Sequence, residues 1–219
     1  MSLEIINLKK SYGKTEVLKD ISFYLKSGES VALMGASGSG KSTLAKCIAR
    51  LESINRGSVI YNKQDILNLK NAEFRQNIQY VFQDQLTALN PSKRVKDLLI
   101  SVLKRFKIDK KDEFEHILSD AKLPYSILDR FPKELSGGER QRLGIARAML
   151  IKPKILILDE VTSALDKRLK SEIMHTLMHY KTLHKTAMIF ITHDKFIAKE
   201  YFDRVLMLKC GRLIFDKTS

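Results

Sequence analysis

A glycine-rich segment of eight residues gives the clearest chemical signal in the chain: Gly35-Ala36-Ser37-Gly38-Ser39-Gly40-Lys41-Ser42. It has the pattern G-x-x-x-x-G-K-[ST] and lies between an apolar run at residues 31–34 and a predicted helix at residues 42–51. A strand ending in such a loop turns backbone N–H groups inward, and the helix N-terminus adds about half a positive charge. The segment is therefore predicted to bind phosphate oxygens. Lys41 would face the β- and γ-phosphates, Ser42 would ligate Mg²⁺, and Thr43 would complete the nucleotide site.

Two adjacent acids follow an apolar run at residues 155–158. Asp159 is predicted to hold Mg²⁺, directly or through water, and Glu160 to act as a general base on an attacking water. The alternative is an acidic pair that only caps the next helix. The apolar run favours catalysis, because it would deliver both acids to the carboxyl edge of a parallel sheet, where α/β proteins bind ligands.

Two more polar side chains are predicted at this edge. His193 follows an apolar run at residues 187–191 and could contact the γ-phosphate while orienting Glu160; a histidine with a purely structural role is the alternative. Gln83 ends a predicted strand at residues 78–82. Its amide could ligate Mg²⁺ or meet the attacking water, while its backbone transmits displacement to the helical segment that follows.

A second helix start lies about a hundred residues after the first, at Leu135-Ser136-Gly137-Gly138-Glu139. Ser136 is a predicted N-cap, and the glycine pair permits close backbone approach. The segment is therefore a second candidate for phosphate binding. It would need a γ-phosphate supplied from another site.

Taken in order, these segments resemble the motifs of ATP-binding cassette (ABC) ATPases over nearly the whole chain. Residues 135–139 resemble the signature motif, Asp159-Glu160 the Walker B acids, Ser163-Ala164-Leu165-Asp166 the D-loop, Gln83 the Q-loop and His193 the switch histidine. Tyr12, before Gly13, resembles the A-loop aromatic that stacks on adenine, with core packing as the rival interpretation. The resemblance implies ATP and Mg²⁺ as ligands and ATP hydrolysis. It also implies a head-to-tail dimer in which each ATP lies between one P-loop and the partner's signature motif, with Asp166 near the seam.

Residues 81–91, Val-Phe-Gln-Asp-Gln-Leu-Thr-Ala-Leu-Asn-Pro, resemble the corresponding segment of oligopeptide, dipeptide and nickel importer ATPases. Ala88 replaces the usual Ser, Val161 stands where Pro commonly follows the acids, and the chain ends early, at Ser219. The resemblance implies an ATPase subunit of a bacterial importer for nickel or small peptides, peripheral on the cytoplasmic face of the inner membrane. Its implied partners are a second, homologous ABC ATPase, two membrane permease subunits and a solute-binding protein.

Other ABC classes stay open as alternatives. The early end of the chain is also found in short cassettes of lipoprotein-release, efflux and cell-division complexes, although these typically differ after the Q-loop. Nucleic-acid-associated ABC ATPases generally carry long coiled coils or zinc modules between P-loop and signature. Lys41 and Ser136 are too close in sequence for such insertions. No nucleic-acid partner is therefore expected.

Composition limits the remaining possibilities. A chain of 219 residues with 44% hydrophobic and 29% charged residues is long enough for one well-buried domain. Its apolar runs are too short to cross a bilayer, and its first residues do not resemble a signal peptide. The net charge of +14 is densest at residues 93–111, where the apolar residues recur at helical spacing. This basic stretch is interpreted as a solvated helix face, with attraction to anionic lipid headgroups as the alternative.

The cysteines and histidines of the sequence do not complete a pattern for a disulfide or a metal site. Cys47 and Cys210 form no C-x-x-C pattern, so two reduced thiols are expected. His175 and His179 have the i,i+4 spacing of a metal site, but neither Cys nor paired carboxylates join them. They are interpreted as histidines on the solvated face of a helix.

The predicted fold is α/β: a P-loop NTPase (ABC ATPase) core with a parallel sheet, an N-terminal antiparallel β subdomain and an inserted helical subdomain. Strands are predicted at residues 3–8, 17–25, 31–34, 58–61, 78–82, 155–159, 187–192, 204–209 and 212–215, and helices at 167–183 and 195–202. Residues 1–219 are expected to form a single ABC ATPase domain. Within it, residues 1–83 and 151–219 would build the core, and residues 84–150 the helical signature subdomain.

Overall fold

An antiparallel sheet of four strands opens the computed structural model, which describes residues 2–108, 113–163 and 165–218. Its strands are β1 (Ser2–Tyr12), β2 (Thr15–Lys26), β4 (Arg56–Tyr61) and β5 (Gln64–Asp65), in the spatial order β2-β1-β4-β5. From Ile21 onward β2 alternates buried and exposed residues, as expected for a strand with one face on a core. This sheet confirms the predicted N-terminal antiparallel element.

A second sheet of six strands positions the candidate site. It contains β3 (Ser30–Met34), β6 (Ile78–Val81), β7 (Ile155–Asp159), β8 (Ala187–Ile191), β9 (Arg204–Lys209) and β10 (Arg212–Thr218), in the order β10-β9-β3-β8-β7-β6. All neighbours pair in parallel except β10 and β9, so the predicted parallel sheet with an antiparallel edge is confirmed. Every residue of β3, β7 and β8 is buried, because both faces of the sheet are covered.

The helices divide into two groups along the chain. Helices α1 (Lys41–Ile48), α2 (Asn71–Asn77), α7 (Lys167–His184) and α8 (Lys195–Tyr201) alternate with strands of the two sheets. Helices α3 (Gln85–Ala88), α4 (Val95–Phe106), α5 (Glu113–Asp120) and α6 (Gly137–Met149) lie between β6 and β7, with 3-10 turns at Tyr125–Asp129 and Pro132–Glu134. The described residues between 84 and 150 include no strand, as predicted. Their division from the core as a signature subdomain stays a prediction.

The parallel sheet has a hydrophobic core on each face. In β7, Ile155 and Ile157 belong to a cluster with β1, β2 and α1, whereas Leu156 and Leu158 belong to a cluster with α4 to α7. This division follows from the two-residue period of a strand. The helical segment therefore packs on one face of the sheet and the antiparallel sheet on the other.

Helix α4 shows the amphipathic pattern predicted for the basic stretch. Val95, Leu98, Leu99 and Leu103 are buried, while the lysines and arginines on the helix are exposed. The last three positions of the predicted basic stretch, residues 109–111, lie outside the described residues.

Helix α1 is shorter than predicted and ends at Ile48 instead of residue 51. Arg50 has a φ of 55°, and the N–H groups of Arg50 and Leu51 donate to the carbonyl oxygens of Cys47 and Lys46. These bonds close a left-handed C-terminal cap, which satisfies the last carbonyl groups and stops the helix. Cys47 and Cys210 are both free thiols, as expected. In the part of the chain that the structure describes, no helix is long and apolar enough to span a membrane.

Candidate nucleotide site

The glycine-rich segment forms a tight loop between β3 and α1. Gly35, Gly38 and Gly40 have φ values of 152°, 74° and 106°. At Gly35 two features exclude a side chain. The positive φ is one that other residues rarely adopt, and a Cβ would overlap the Leu208 carbonyl oxygen of β9. The Lys41 ammonium donates to the carbonyl oxygens of Gly35 and Ala36, each at 2.9 Å, and is therefore held at the loop.

A cavity of about 540 Å³ lies against this loop, and predicted site residues from four parts of the sequence line it. It is lined by residues 35–38 and 40–43 of the loop, together with Val17, Gln83, Glu160 and His193. The last three follow β6, β7 and β8. The parallel strands thus place their following residues at one edge, as the sequence predicted.

The Glu160 carboxylate is fixed at the cavity by two side chains from neighbouring strand ends. The Gln83 Nε2 atom donates to Oε2 at 3.0 Å, and the His193 Nδ1 atom lies 3.2 Å from Oε1. The backbone N–H of Glu160 donates to the Ile191 carbonyl oxygen at 3.1 Å. Each carboxylate oxygen therefore has its own side-chain partner, and these contacts fix the orientation of the carboxylate at the cavity.

Asp159 is almost fully buried and has two hydroxyl partners. Ser42 Oγ lies 3.2 Å from Oδ1, and the Tyr80 hydroxyl donates to Oδ2 at 2.5 Å. Burial raises the pKa of the Tyr80 phenol, and the Asp159 charge raises it further, so Tyr80 stays a donor at neutral pH. The Ser42 and Asp159 oxygens lie side by side at the base of the loop, which is a donor set that suits Mg²⁺.

Tyr80 is the residue of this site that sequence reasoning missed. Its phenol reaches Asp159 only because β6 pairs with β7, with Tyr80 in register with Ile157. No local motif identifies it. The one available signal was a tyrosine, with its hydroxyl group, in the strand predicted at residues 78–82.

The signature segment caps helix α6, as predicted. The Ser136 hydroxyl accepts from the Glu139 N–H at 3.2 Å, and the Glu139 carboxylate accepts from the Ser136 N–H at 2.7 Å. The Ser136 N–H is also the main cause that lowers the pKa of Glu139. None of residues 135–139, all of which the structure describes, lines the P-loop cavity.

The D-loop lies beside the signature helix. A Cβ at Gly138 would lie 3.3 Å from Leu165 Cδ2, so the two segments are in close contact. Asp166 caps helix α7 by accepting from the Leu169 N–H at 2.9 Å, and Ser163 is exposed. Ala164 lies outside the described residues. The structure does not bring Ser163 or Asp166 into the cavity.

Tyr12 is not a core residue, so the core-packing interpretation is wrong. Its side chain is 46% exposed, with the Lys10 ammonium 4.7 Å from the ring centroid. Its hydroxyl interacts with the side chains of Thr43 and Glu52, which places it next to the start of α1 although it does not line the cavity. His175 and His179 are exposed, as expected, and the described residues include no cluster of metal-binding side chains.

Comparison with known proteins agrees with this architecture. Residues 18–163 match a family model described as ABC transporter. The chain therefore belongs to the ABC transporter family, and it is an ABC-type ATPase that binds ATP. It is 39% identical over 205 residues to the nickel import ATP-binding protein NikE of Escherichia coli (strain K12), covering 90% of this chain and 76% of that one.

Two solved structures share the fold closely. One is the ATP-binding cassette MJ0796 in a dimeric, post-hydrolysis state bound to ADP and Pi. It is 28% identical, with a TM-score of 0.88 over 99% of this chain and 98% of that one. The other is cbiO1 from Clostridium perfringens, part of the ABC transporter complex cbiONQ. It is 29% identical, with a TM-score of 0.82 over 99% and 88% of the two chains.

Proposed function

We propose that this chain is the ATP-hydrolysing subunit of a bacterial importer for nickel or small peptides. The observation that carries the proposal is the Glu160 carboxylate, held between Gln83 and His193 at the mouth of the P-loop cavity. Phosphoryl transfer to water depends on positioning and electrostatics, and this arrangement supplies both beside a phosphate-binding loop.

The P-loop residues bind and orient the nucleotide. The backbone N–H groups of residues 35–42 and the Lys41 ammonium would hold the phosphate oxygens. Ser42 and Asp159 would hold Mg²⁺, with Gln83 at the cavity edge as a third candidate ligand. When bound, Mg²⁺ neutralises charge on the phosphates. Tyr12 is proposed to stack on the adenine, since its exposed ring stands next to Thr43.

Glu160 is proposed as the general base. One carboxylate oxygen accepts a hydrogen bond from Gln83, and the other lies next to His193, so the carboxylate cannot rotate freely. It is thereby oriented to take a proton from water in line with the γ-phosphate. His193, which is exposed toward the cavity, would contact that phosphate from the same edge.

A second cassette is proposed to complete each site. Residues 135–139 form a capped helix start outside the cavity of their own chain, so the phosphate that they bind must come from another subunit. The dimeric state of the MJ0796 structure supports this arrangement. Asp166 and the other D-loop residues, adjacent to Gly138, would then lie near the seam.

A groove of about 610 Å³ supports docking to membrane subunits. On one side it is lined by residues 49–51, directly after α1, and by residues of α2 and β6, and on the other by residues of α4 and α6. Four arginines line it, Arg50, Arg75, Arg105 and Arg147, and among the described residues it has no acidic lining. We propose that an acidic segment of one permease subunit binds there, and that the second permease subunit binds the second cassette. The chain would thereby be peripheral on the cytoplasmic face of the membrane, with a solute-binding protein on the opposite side.

Replacing Glu160 by Gln tests the hydrolytic proposal. The amide keeps the shape but cannot accept the proton, so we expect hydrolysis to fall by roughly 10²- to 10⁴-fold. ATP binding should be retained, measured with a fluorescent ATP analogue. Glu172→Gln, which removes an exposed carboxylate paired with Arg168, is the matched control. Single-turnover hydrolysis at the wild-type rate in Glu160→Gln would exclude Glu160 as the base.

The cargo is the finer part of the proposal. The identity to NikE and the segment at residues 81–91 support nickel or small peptides. Reconstitution of the chain with its permeases and binding protein in liposomes distinguishes the two. ATP-dependent uptake should occur with either nickel or a peptide mixture and disappear with Glu160→Gln. Uptake of neither would contradict the cargo assignment.

A further inference from the structure

The carbonyl oxygen of Phe82, directly before Gln83, accepts hydrogen bonds from two buried glutamine side chains. Gln85 Nε2 donates to it at 2.6 Å and Gln141 Nε2 at 3.4 Å. Both glutamines are at most 5% exposed. The peptide that precedes the Q-loop glutamine is therefore fixed from the interior of the protein, without any contact to the nucleotide cavity.

Helix α6 provides most of this support. Gln141 lies on α6, and the Gln85 amide lies flat on Gly144 of the same helix, where a Cβ would overlap it. Further along α6, Arg147 Nη1 donates to the Ala88 carbonyl oxygen at 3.0 Å. The helix thus holds the segment at residues 82–88 at three successive turns.

Packing alone does not account for the Gln85 amide. Among the described residues, the buried Oε1 atom of Gln85 has no hydrogen-bond partner. An unmatched buried acceptor lowers stability, so an apolar residue would serve a purely structural role better. The benefit of the amide must lie in the hydrogen bond that it donates to Phe82.

We propose that Gln141 is a positioning residue for ATP hydrolysis. Together with Gln85, it fixes the Phe82 carbonyl, which sets the direction of the Gln83 side chain and hence the orientation of the Glu160 carboxylate. This inference rests on the proposed role of Glu160. Gln141 lies little more than one helical turn from Ser136. A displacement of the signature end of α6 is therefore carried by a rigid helix to the Q-loop of the same chain.

The test is Gln141→Met in the full chain, which keeps the length of the side chain and removes the donor. We expect kcat to fall about tenfold, since small misplacements of catalytic groups reduce rates by such factors. The KM for ATP should not change, because the P-loop is untouched. A purely structural role would instead lower the unfolding midpoint and leave kcat of the folded fraction unchanged.

Gln79→Met is the matched control, since Gln79 donates to the Arg75 carbonyl oxygen of α2, before the N-terminal end of β6, whereas the Q-loop segment follows its C-terminal end. It should keep the wild-type kcat. Gly144→Ala provides a second, independent variant, because its methyl group displaces the Gln85 amide from the same carbonyl. It should lower kcat in the same way, again without a change in KM.

Parallel measurement of Glu160→Gln distinguishes a failure of the positioning role of Gln141 from a failure of the proposed function. If Glu160→Gln abolishes hydrolysis while Gln141→Met and Gly144→Ala keep the wild-type kcat, the positioning role is wrong and the proposed function stands. If Glu160→Gln itself hydrolyses ATP normally, the proposed function fails. A lowered kcat with unchanged KM in both α6 variants supports the inference.

Discussion

The backbone of Glu160 is held in the left-handed region, with a φ of 49°. For a residue other than glycine this conformation costs roughly 1–3 kcal/mol. It is retained by the hydrogen bond from its N–H to Ile191 on the next strand. The strain falls on the residue whose carboxylate meets Gln83 and His193. The strained backbone therefore places this carboxylate where side chains from two neighbouring strand ends fix it.

Tyr80 gives a prediction at the same scale. Tyr80→Phe removes the hydroxyl that restrains Asp159 and leaves the packing of the ring unchanged. Loss of such a supporting hydrogen bond commonly weakens metal binding by about 10- to 100-fold. We therefore expect hydrolysis to need a correspondingly higher Mg²⁺ concentration for half-maximal rate, measured by titration at saturating ATP.

Tyr61→Phe is the control for Tyr80→Phe, because Tyr61 is buried in the antiparallel sheet, away from the cavity. Its Mg²⁺ requirement should equal that of the wild type. Burial raises the pKa of Tyr80, so the phenol stays protonated and the defect should be constant across neutral pH. An unchanged Mg²⁺ midpoint in Tyr80→Phe would show that Asp159 needs no support from it.

The residues of the site differ in how readily they can be predicted from the sequence. Glu160 and His193 each follow a run of apolar residues, so the sheet edge to which they belong could be predicted without a structure. The contact of Tyr80 with Asp159 depends on which strand pairs with β7, and that pairing joins segments far apart in sequence. The position of the Tyr12 side chain likewise depends on contacts that the sequence does not show, with Lys10 and with Thr43 at the start of α1.

Among the elements, β3 and α7 are tied together by Asp203, which precedes β9. Its carboxylate accepts from the N–H and hydroxyl of Ser30, each at 2.7 Å, and from the Lys181 ammonium at 2.7 Å. Burial alone would raise the pKa of Asp203, but the hydrogen bonds from Lys181 and Ser30 outweigh it, so its pKa lies below the ordinary value. Folding therefore favours the charged form.

The sign of the resulting pH dependence follows directly. A carboxylate with a lowered folded pKa stabilises the protein above its unfolded pKa of about 3.9. This stabilisation is lost as pH falls through the folded value. We expect Asp203→Asn to be less stable than the wild type at pH 7, with a difference that shrinks as the pH falls below about 4.

Urea unfolding at several pH values measures that difference. Asp20→Asn is the control, because Asp20 forms an ion pair with Lys9 at the surface and such pairs contribute little. A difference between wild type and Asp203→Asn that stayed constant with pH would contradict the proposed contribution of the charged carboxylate.

The arginine-lined groove is also a property of several elements together. Arg105→Glu reverses one charge in it and should prevent co-purification with the permeases, since like charges across an interface oppose binding. ATP binding by the isolated chain should be unchanged. Lys104→Glu, at the neighbouring exposed position of α4 outside the groove, should co-purify normally. Equal co-purification of both variants would place the docking surface elsewhere.

Element prediction succeeded where periodicity was strong and failed where elements were short. The fully apolar runs that become β7 and β8 were located within one residue, and the stripe of α4 identified its buried face. The two-residue strand β5 was not predicted, because it is too short to show a period. Helix α2 was not predicted either; it follows Lys70, which does not cap it with its side chain, whereas α8, of equal length, follows the capping Asp194. The early end of α1 depends on Arg50 adopting a positive φ, which its residue type does not indicate.

At the scale of the whole molecule, the net charge of +14 is concentrated in part around one surface. The exposed cations of α4 lie next to the groove that Arg50, Arg75 and Arg105 line. A basic stretch and a basic groove thus face the same region. If an acidic membrane subunit docks there as proposed, part of the positive charge meets a partner of opposite sign.

The two proposed phosphate-binding segments lie apart in the chain. The signature residues 135–139, all of them described, do not line the P-loop cavity. Two cassettes arranged head to tail would complete both sites, so dimerisation should depend on ATP and the isolated chain should be largely monomeric and slow. We expect the second cassette to be a different, homologous chain, as in the importers that this sequence resembles.

Gly137→Asp is the variant that tests this arrangement. A Cβ at Gly137 has open space, with Arg140 Nη2 4.0 Å away, whereas Gly138 is already in contact with Leu165 and Arg142 of its own chain. An aspartate at 137 would oppose the partner's γ-phosphate with a like charge, at a cost of several kcal/mol, on the order expected for a desolvated seam. Gly137→Asn has the same shape without the charge and should be much less damaging.

The expected damage lies at the ATP bound by the partner's P-loop, while nucleotide binding at Lys41 of the altered chain should be retained. The charge effect is measured by comparing ATP hydrolysis by the assembled complex between Gly137→Asp and Gly137→Asn. Subunit mass analysis after co-purification with the permeases gives the subunit composition of that complex. In the proposed arrangement the signature of one chain serves only the other, so one altered chain in a heterodimer should remove one site and leave the second intact. Two copies of this chain with no second cassette would overturn the heterodimer, and loss of nucleotide at the altered chain's own Lys41 would overturn action across the seam.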